Sequence, residues 1–267
     1  MKYYVVSDVH GFYTPLVSAL KEKGFFDDKE PHKLIVCGDL FDRGEEAEKI
    51  QEFICDLLEK DLVILIRGNH EDLVEELVEN FGEWMTIDLI YSHHWHNQTP
   101  QTVFQLTHSD LYEATTMPRR VSLRMKETPF FKKILPAMVD YYETEKYIFV
   151  HGWIPADGIG GSRPQYFYPI ENWRGSDATR WREARWFNGM LAASCGVTEP
   201  GKTIVCGHWH TSYGHSILEG KCSEFGDDAE FTPYYGEGII AIDACTAHSG
   251  FVNCIVLEDE ELQKNGD

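Results

Sequence analysis

The stretch Leu34-Ile35-Val36-Cys37-Gly38-Asp39-Leu40-Phe41-Asp42-Arg43-Gly44 decides the architecture. It opens as a short apolar, β-rich run and breaks at Gly38-Asp39 into a polar turn. An amphipathic segment follows at Glu45–Glu59. The same unit stands on either side of it. Upstream, Tyr3–Ser7 leads through Asp8-Val9-His10-Gly11 into the amphipathic Pro15–Lys23; downstream, Leu62–Ile66 leads through Arg67-Gly68-Asn69-His70-Glu71 into His70–Glu79. This β-α-β-α-β-α order is the signature of a largely parallel sheet flanked by helices, so the fold class is α/β. Ligands of such sheets bind outside the carboxyl ends of the strands, and the three polar clusters are therefore expected to converge on one crevice.

Further along, the pattern loosens. From about 82 to 145 a stretch containing Trp, His and Thr runs into an expected helix at Pro129–Tyr142, and the whole segment reads as a helical cap. A β-run at Tyr147–Val150 ends at His151-Gly152, and a Gly-, Pro- and aromatic-rich excursion occupies about 153 to 200. Segments of that length are usually functional. Thr203–Cys206 runs into Gly207-His208-Trp209-His210, and Gly238–Asp243 and Phe251–Leu257 close a single domain spanning 1–267.

With 24 Lys and Arg against 44 Asp and Glu the net charge is −20, which repels a phosphate backbone at long range and argues against nucleic acid as a partner. The same acidity suits a site for divalent cations. The seven cysteines are odd in number and contain no Cys-x-x-Cys pair, so they indicate neither a disulfide framework nor a cysteine zinc site. Met1–Ser7 is too short an apolar run for a signal peptide, and no stretch approaches the ~20 apolar residues of a membrane helix. These features read as a cytoplasmic protein with no membrane partner.

Asp8 and His10 are two apart after a strand, and on extended backbone both would point to one side, as half of a metal shell. Alone, Asp-x-His-Gly is more often a turn. Gly38-Asp39-x-x-Asp42-Arg43-Gly44 is far more specific, its five fixed positions arising by chance in on the order of one chain in several thousand. Asp39 as a helix cap, and Asn69 and His70 as a mere helix start, are the bland alternatives. Both holding at successive strand ends is improbable.

These motifs, with His151-Gly152 and Gly207-His208, resemble in order those of the calcineurin-like metallophosphoesterases, and the Asp42-Arg43-Gly44 and Gly68-Asn69-His70-Glu71 forms look most like the phosphoprotein phosphatase branch. The resemblance implies a four-layer α/β/β/α sandwich carrying the two inserted segments. It implies a first metal held by Asp8, His10 and Asp39 and a second held by Asp39, Asn69, His151 and His208. The mixed donor set suits manganese, iron or zinc. Two such cations generate a bridging hydroxide for in-line attack on phosphorus.

His70 would then protonate the leaving oxygen, Asp42 would orient it, and Arg43, with Asn69 at the substrate side, would grip the phosphate. A second phosphate-binding arginine is expected among Arg163, Arg174, Arg180, Arg182 and Arg185, with Arg185 the choice. Two departures stand out: Trp153 replaces an expected glycine, and His210 adds a second histidine, which the wider family places on the first metal. His93-His94-x-His96 reads as cap surface, and the aromatics between Tyr166 and Trp186 either build a satellite core or equally stack a nucleobase or line a peptide groove. The implied activity is hydrolysis of a serine/threonine phosphoprotein or, alternatively, of a dinucleoside tetraphosphate or other small phosphoester.

Overall fold

In the computed structural model, which describes residues 1–81, 92–160 and 164–260, the first third folds into three repeats of strand and helix. Strands β1 (Lys2–Val6), β2 (His32–Cys37) and β3 (Val63–Ile66) pair in parallel, and helices α1 (Tyr13–Glu22), α2 (Ala47–Glu59) and α3 (Asn69–Glu79) follow them in turn. The short strand β4 (Met138–Val139) extends the sheet parallel to β3, and β12 (Ile255–Glu258) closes its other edge antiparallel to β1. Strand order is β12-β1-β2-β3-β4.

A second sheet is built from β5 (Tyr142–Glu143), β6 (Tyr147–Phe149), β9 (Thr203–Cys206), β10 (Tyr234–Gly236) and β11 (Ile239–Ala241), in the order β10-β11-β9-β6-β5. Side-chain alternation sorts each strand between two cores. Tyr3, Val5, Ile35, Cys37 and Ile66 of the first sheet meet Phe149, Val205 and Ile240 of the second in one buried cluster. Their neighbours Tyr4, Val6, Leu34, Val36 and Leu65 face the helices, and Ile148, Ile204 and Ile239 face the opposite outer layer. Strands buried on both faces must be apolar at every position, which is why they read as unbroken runs. The result is the four-layer α/β/β/α sandwich.

The two excursions form the outer layers. Helices α4 (His93–His96), α5 (Thr99–Thr107), α6 (Leu111–Thr116) and α7 (Pro118–Lys126) contribute Val103, Leu106, Ala114, Val121 and Met125 to the core of the first sheet. The expected helix at Pro129–Tyr142 is a correction: helical backbone stops at Ala137, and the chain turns into β4 and β5. Those strands also show that the span of about 82 to 145 is not all helix; its opening residues 82–91 lie outside the described ones. On the other face, a hairpin of β7 (Ala156–Ile159) and β8 (Tyr166–Pro169) leads to α8 (Ala178–Ala184) and α9 (Gly189–Ser194). Trp153, Phe167, Trp173 and Trp181 are buried there against the second sheet, so these aromatics cover a sheet face rather than form a satellite core.

Candidate active site

Each motif sits where a strand stops, in backbone few residues tolerate. Asp8, His10, Asp39, Asp42, Arg43 and His208 all have positive φ, between 50° and 69°. Side chains pay for left-handed backbone, and such outliers cluster at functional sites. The geometry corrects one expectation: Asp8 and His10 meet through a tight turn rather than across extended backbone, held by amide bonds from Asp8 to Gly38 and from His10 to Asp39. Close approach also explains the glycines. A Cβ on Gly207 would stand 2.1 Å from the Asp8 carboxylate, and one on Gly68 2.1 Å from that of Asp39.

Asp39 is the centre. One carboxylate oxygen lies 3.7 Å from His10 Nε2 and 3.9 Å from His70 Nε2, and the other lies 3.3 Å from His151 Nε2. His151 Nε2 is also 2.7 Å from Asn69 Oδ1, and His208 packs edge to face on His151 at 5.1 Å. The donor atoms of Asp39, His151 and His208 lie within 4.8 Å of one another, as do those of His10, Asp39 and His70. Asp8 stands 3.9 Å from His10 Nε2, and its other oxygen accepts the His208 amide at 2.9 Å.

Backbone carbonyls set the imidazoles. His10 Nδ1 binds the Phe41 carbonyl at 3.0 Å and His151 Nδ1 the Cys37 carbonyl at 2.8 Å, leaving each Nε2 toward Asp39. The Trp186 carbonyl holds the His208 ring in the same manner. Orienting bonds of this kind are the usual supports of metal-binding histidines. Burial, with Arg43 beside it, pushes His10 well below the ordinary imidazole range, and burial next to His151 lowers His208 to about 3.

The carboxylates show the complementary demand. Burial, with Asp243 nearby, raises Asp8 far above the usual range, and burial lifts Asp243 to about 6. For His151, burial acts downward but Asp39 prevails and carries it up to about 10. Buried carboxylates with this much uncompensated charge need cations. Oxygen and imidazole donors converging from both sheets therefore fit a pair of divalent metals.

Next to this cluster runs a chain of polar contacts. Asp42 binds His70 Nδ1 at 2.7 Å, while Thr99 and Thr102 donate to its two oxygens at 3.0 and 2.6 Å. Arg43 spans His10 Nε2 at 2.9 Å and His70 Nε2 at 3.2 Å, so its fork lies across the mouth of the site.

Two expected residues lie elsewhere. Arg185 is paired with Asp72 at 2.5 Å and with Asp140, a network that Arg67 joins through Asp72 at 2.7 Å. His210 turns aside: Nδ1 binds Ser212 at 2.8 Å, Nε2 lies 3.3 Å from Glu224, and the ring packs on Phe225. Among the described residues no hydrogen bond or ion pair links it to Asp8 or His10. Arg163 is outside the described residues. His93 and His94 bring their nitrogens within 4.8 Å of a Glu76 oxygen, and His94 is buried rather than on the surface.

The sequence profile of the calcineurin-like phosphoesterases matches residues 1–229. The chain belongs to that family. Its relatives include an asymmetrical bis(5'-nucleosyl)-tetraphosphatase of Bacillus velezensis, 32% identical over 76 residues, which are 26% of this chain and 30% of that protein. A symmetrical bis(5'-nucleosyl)-tetraphosphatase of Buchnera aphidicola is 38% identical over 71 residues, 27% of this chain and 24% of the relative. The matched stretch thus spans less than a third of either relative.

Among solved structures, a cold-active protein-tyrosine phosphatase of a Shewanella species superposes with a TM-score of 0.52 at 18% identity, covering 96% of this chain and 75% of that one. At that identity the likeness establishes the shared fold. The family uses a dinuclear metal site, and in this calcineurin-like phosphoesterase the two residue groups that share Asp39 are the candidates to hold it. Among the described residues no helix is long and apolar enough to cross a membrane.

Proposed function

We propose that this protein is a dinuclear-metal phosphoesterase that hydrolyses phosphate monoesters, with a serine/threonine phosphoprotein as its substrate. The observation that carries the reading is the chain Asp42–His70–Arg43 set against Asp39. Two divalent cations held by Asp8, His10, Asp39, Asn69, His151 and His208 would supply Lewis acidity toward the phosphoryl oxygens and acidify a bound water; the donor set suits manganese, with iron and zinc as alternatives.

The chain's own residues do the rest. Arg43 offers a planar pair of N–H donors to phosphoryl oxygens. Asp42 fixes the His70 ring so that Nε2 faces the same space and delivers a proton to the leaving alkoxide. Thr99 and Thr102 keep Asp42 from rotating away. Among the described residues Arg43 is the guanidinium that reaches His10 and His70, whereas Arg185, Arg174 and Arg180 are each engaged by carboxylates.

The names of the sequence relatives favour a second reading, hydrolysis of dinucleoside tetraphosphates. Initial rates with Mn²⁺ on a phosphothreonine peptide and on diadenosine tetraphosphate, side by side, separate the two. The peptide is expected to be the better substrate by kcat/KM; preference for the dinucleotide would replace the phosphoprotein reading by the second.

A further inference from the structure

Beside the metal centre, on the outer face of the second sheet, a groove of about 1160 Å³ runs between the β7–β8 hairpin and α8. Its wall nearest the site is the segment from Glu183 to Phe187, which is clamped to both histidine loops of the second sheet. The Trp153 amide donates to the Ala184 carbonyl at 3.0 Å, and Gly152 lies so close that a Cβ there would stand 2.4 Å from that oxygen. Trp186 meets His208 edge to face at 5.7 Å and holds the same ring through its carbonyl. The groove therefore shares Trp186 with the His208 side of the candidate site.

Its chemistry is one-sided. Among the described residues the lining carries the carboxylates of Asp157, Asp177 and Glu183 and one guanidinium, Arg180, which Asp157 already engages at 3.0 Å. Trp186 adds a ring that is 42% exposed. Carboxylates around an aromatic face attract a cationic side chain through charge and through the ring's quadrupole. Further phosphates of an oligophosphate would meet net negative charge here.

We propose that this groove is a substrate subsite flanking the candidate site on its His208 side and that it selects phosphorylated polypeptide segments carrying Lys or Arg beside the phosphorylated residue. The assignment rests on the monoester reading of the metal site. Glu183, exposed on α8, and Trp186 are then specificity determinants.

The test compares two phosphothreonine peptides alike except for flanking Arg or flanking Glu, with a small aryl phosphate as the reference substrate. The Arg peptide is expected to have the higher kcat/KM by about tenfold or more, mostly through KM, with the ratio shrinking as salt is added. Glu183→Lys is expected to bring the ratio below about three, and Glu183→Gln to fall between. Hydrolysis of the aryl phosphate with equal rates on both peptides, or a ratio that Glu183→Lys leaves intact, would overturn the groove assignment alone. Failure to hydrolyse the aryl phosphate would overturn the reading of the site and the assignment with it.

Discussion

Glu71 stands in the first turn of α3 with its carboxylate folded back onto three amides, those of Gly68 at 2.8 Å, Leu40 at 3.0 Å and Asp39 at 3.1 Å. It thereby ties the loop bearing Asp39 to the helix start bearing Asn69 and His70. In Glu71→Gln an amide NH₂ must face one of those N–H groups, so the loop loosens. Metal affinity is expected to fall about 10- to 100-fold, with a loss of roughly 1–3 kcal/mol in stability. Metal titration and thermal melting read the two effects, and unchanged affinity would remove Glu71 from the support of the site. Glu71 was visible in the sequence as part of a motif, and Gly68 is three residues away, but its other two partners are 31 and 32 residues away, and nothing local announces them. The candidate ligands were legible for the opposite reason: each follows closely on a strand end, where the change from apolar run to polar turn marks it.

At the scale of elements, α5 is the unexpected participant. It belongs to the segment read as a cap, yet its first two turns place Thr99 and Thr102 on Asp42, and the Asp42 amide donates to Thr102 Oγ1 at 2.9 Å. Thr102→Val keeps the shape and removes the shortest of these bonds. As a positioning residue it should lower kcat by about tenfold with little change in KM, and alter the pH dependence of kcat. A fall in melting temperature with an unaltered pH–rate profile would mean that the contact is structural only. No sequence signal pointed to the pair, because a threonine in a helix is ordinary and its target is 57 or 60 residues distant. The strands missed by the reading, β4, β5, β7, β8 and β10, have two to four residues each, too few for a clear periodic pattern. Strands β1, β2, β3 and β9 were found because burial on both faces leaves no polar gap within them.

Over the whole molecule, the site is a seam. Asp8, His10, Asp39 and Asn69 come from the ends of the first sheet's strands, and His151 and His208 from those of β6 and β9 in the second. The buried cluster around Val5, Ile35, Phe149 and Val205 holds the sheets face to face and so sets the distance between the two halves of the ligand set. Composition and periodicity supported α/β and no more, since a one-sheet and a two-sheet arrangement share the same runs; the ordered motifs carried the rest. That Arg185 is tied to Asp72 and Asp140 was out of reach, because Arg185 and its neighbours differ only in tertiary partners. Asp39 faces histidine rings of both sheets, at 3.7 Å from His10 and 3.3 Å from His151. The decisive measurement is therefore metal content per chain together with the rate of aryl phosphate hydrolysis, for the wild type and for Asp39→Asn. The account predicts two cations and turnover in the wild type, and at most one cation with a rate lower by about 10³-fold or more in the variant. An Asp39→Asn protein that binds two cations and hydrolyses at the wild-type rate would contradict it.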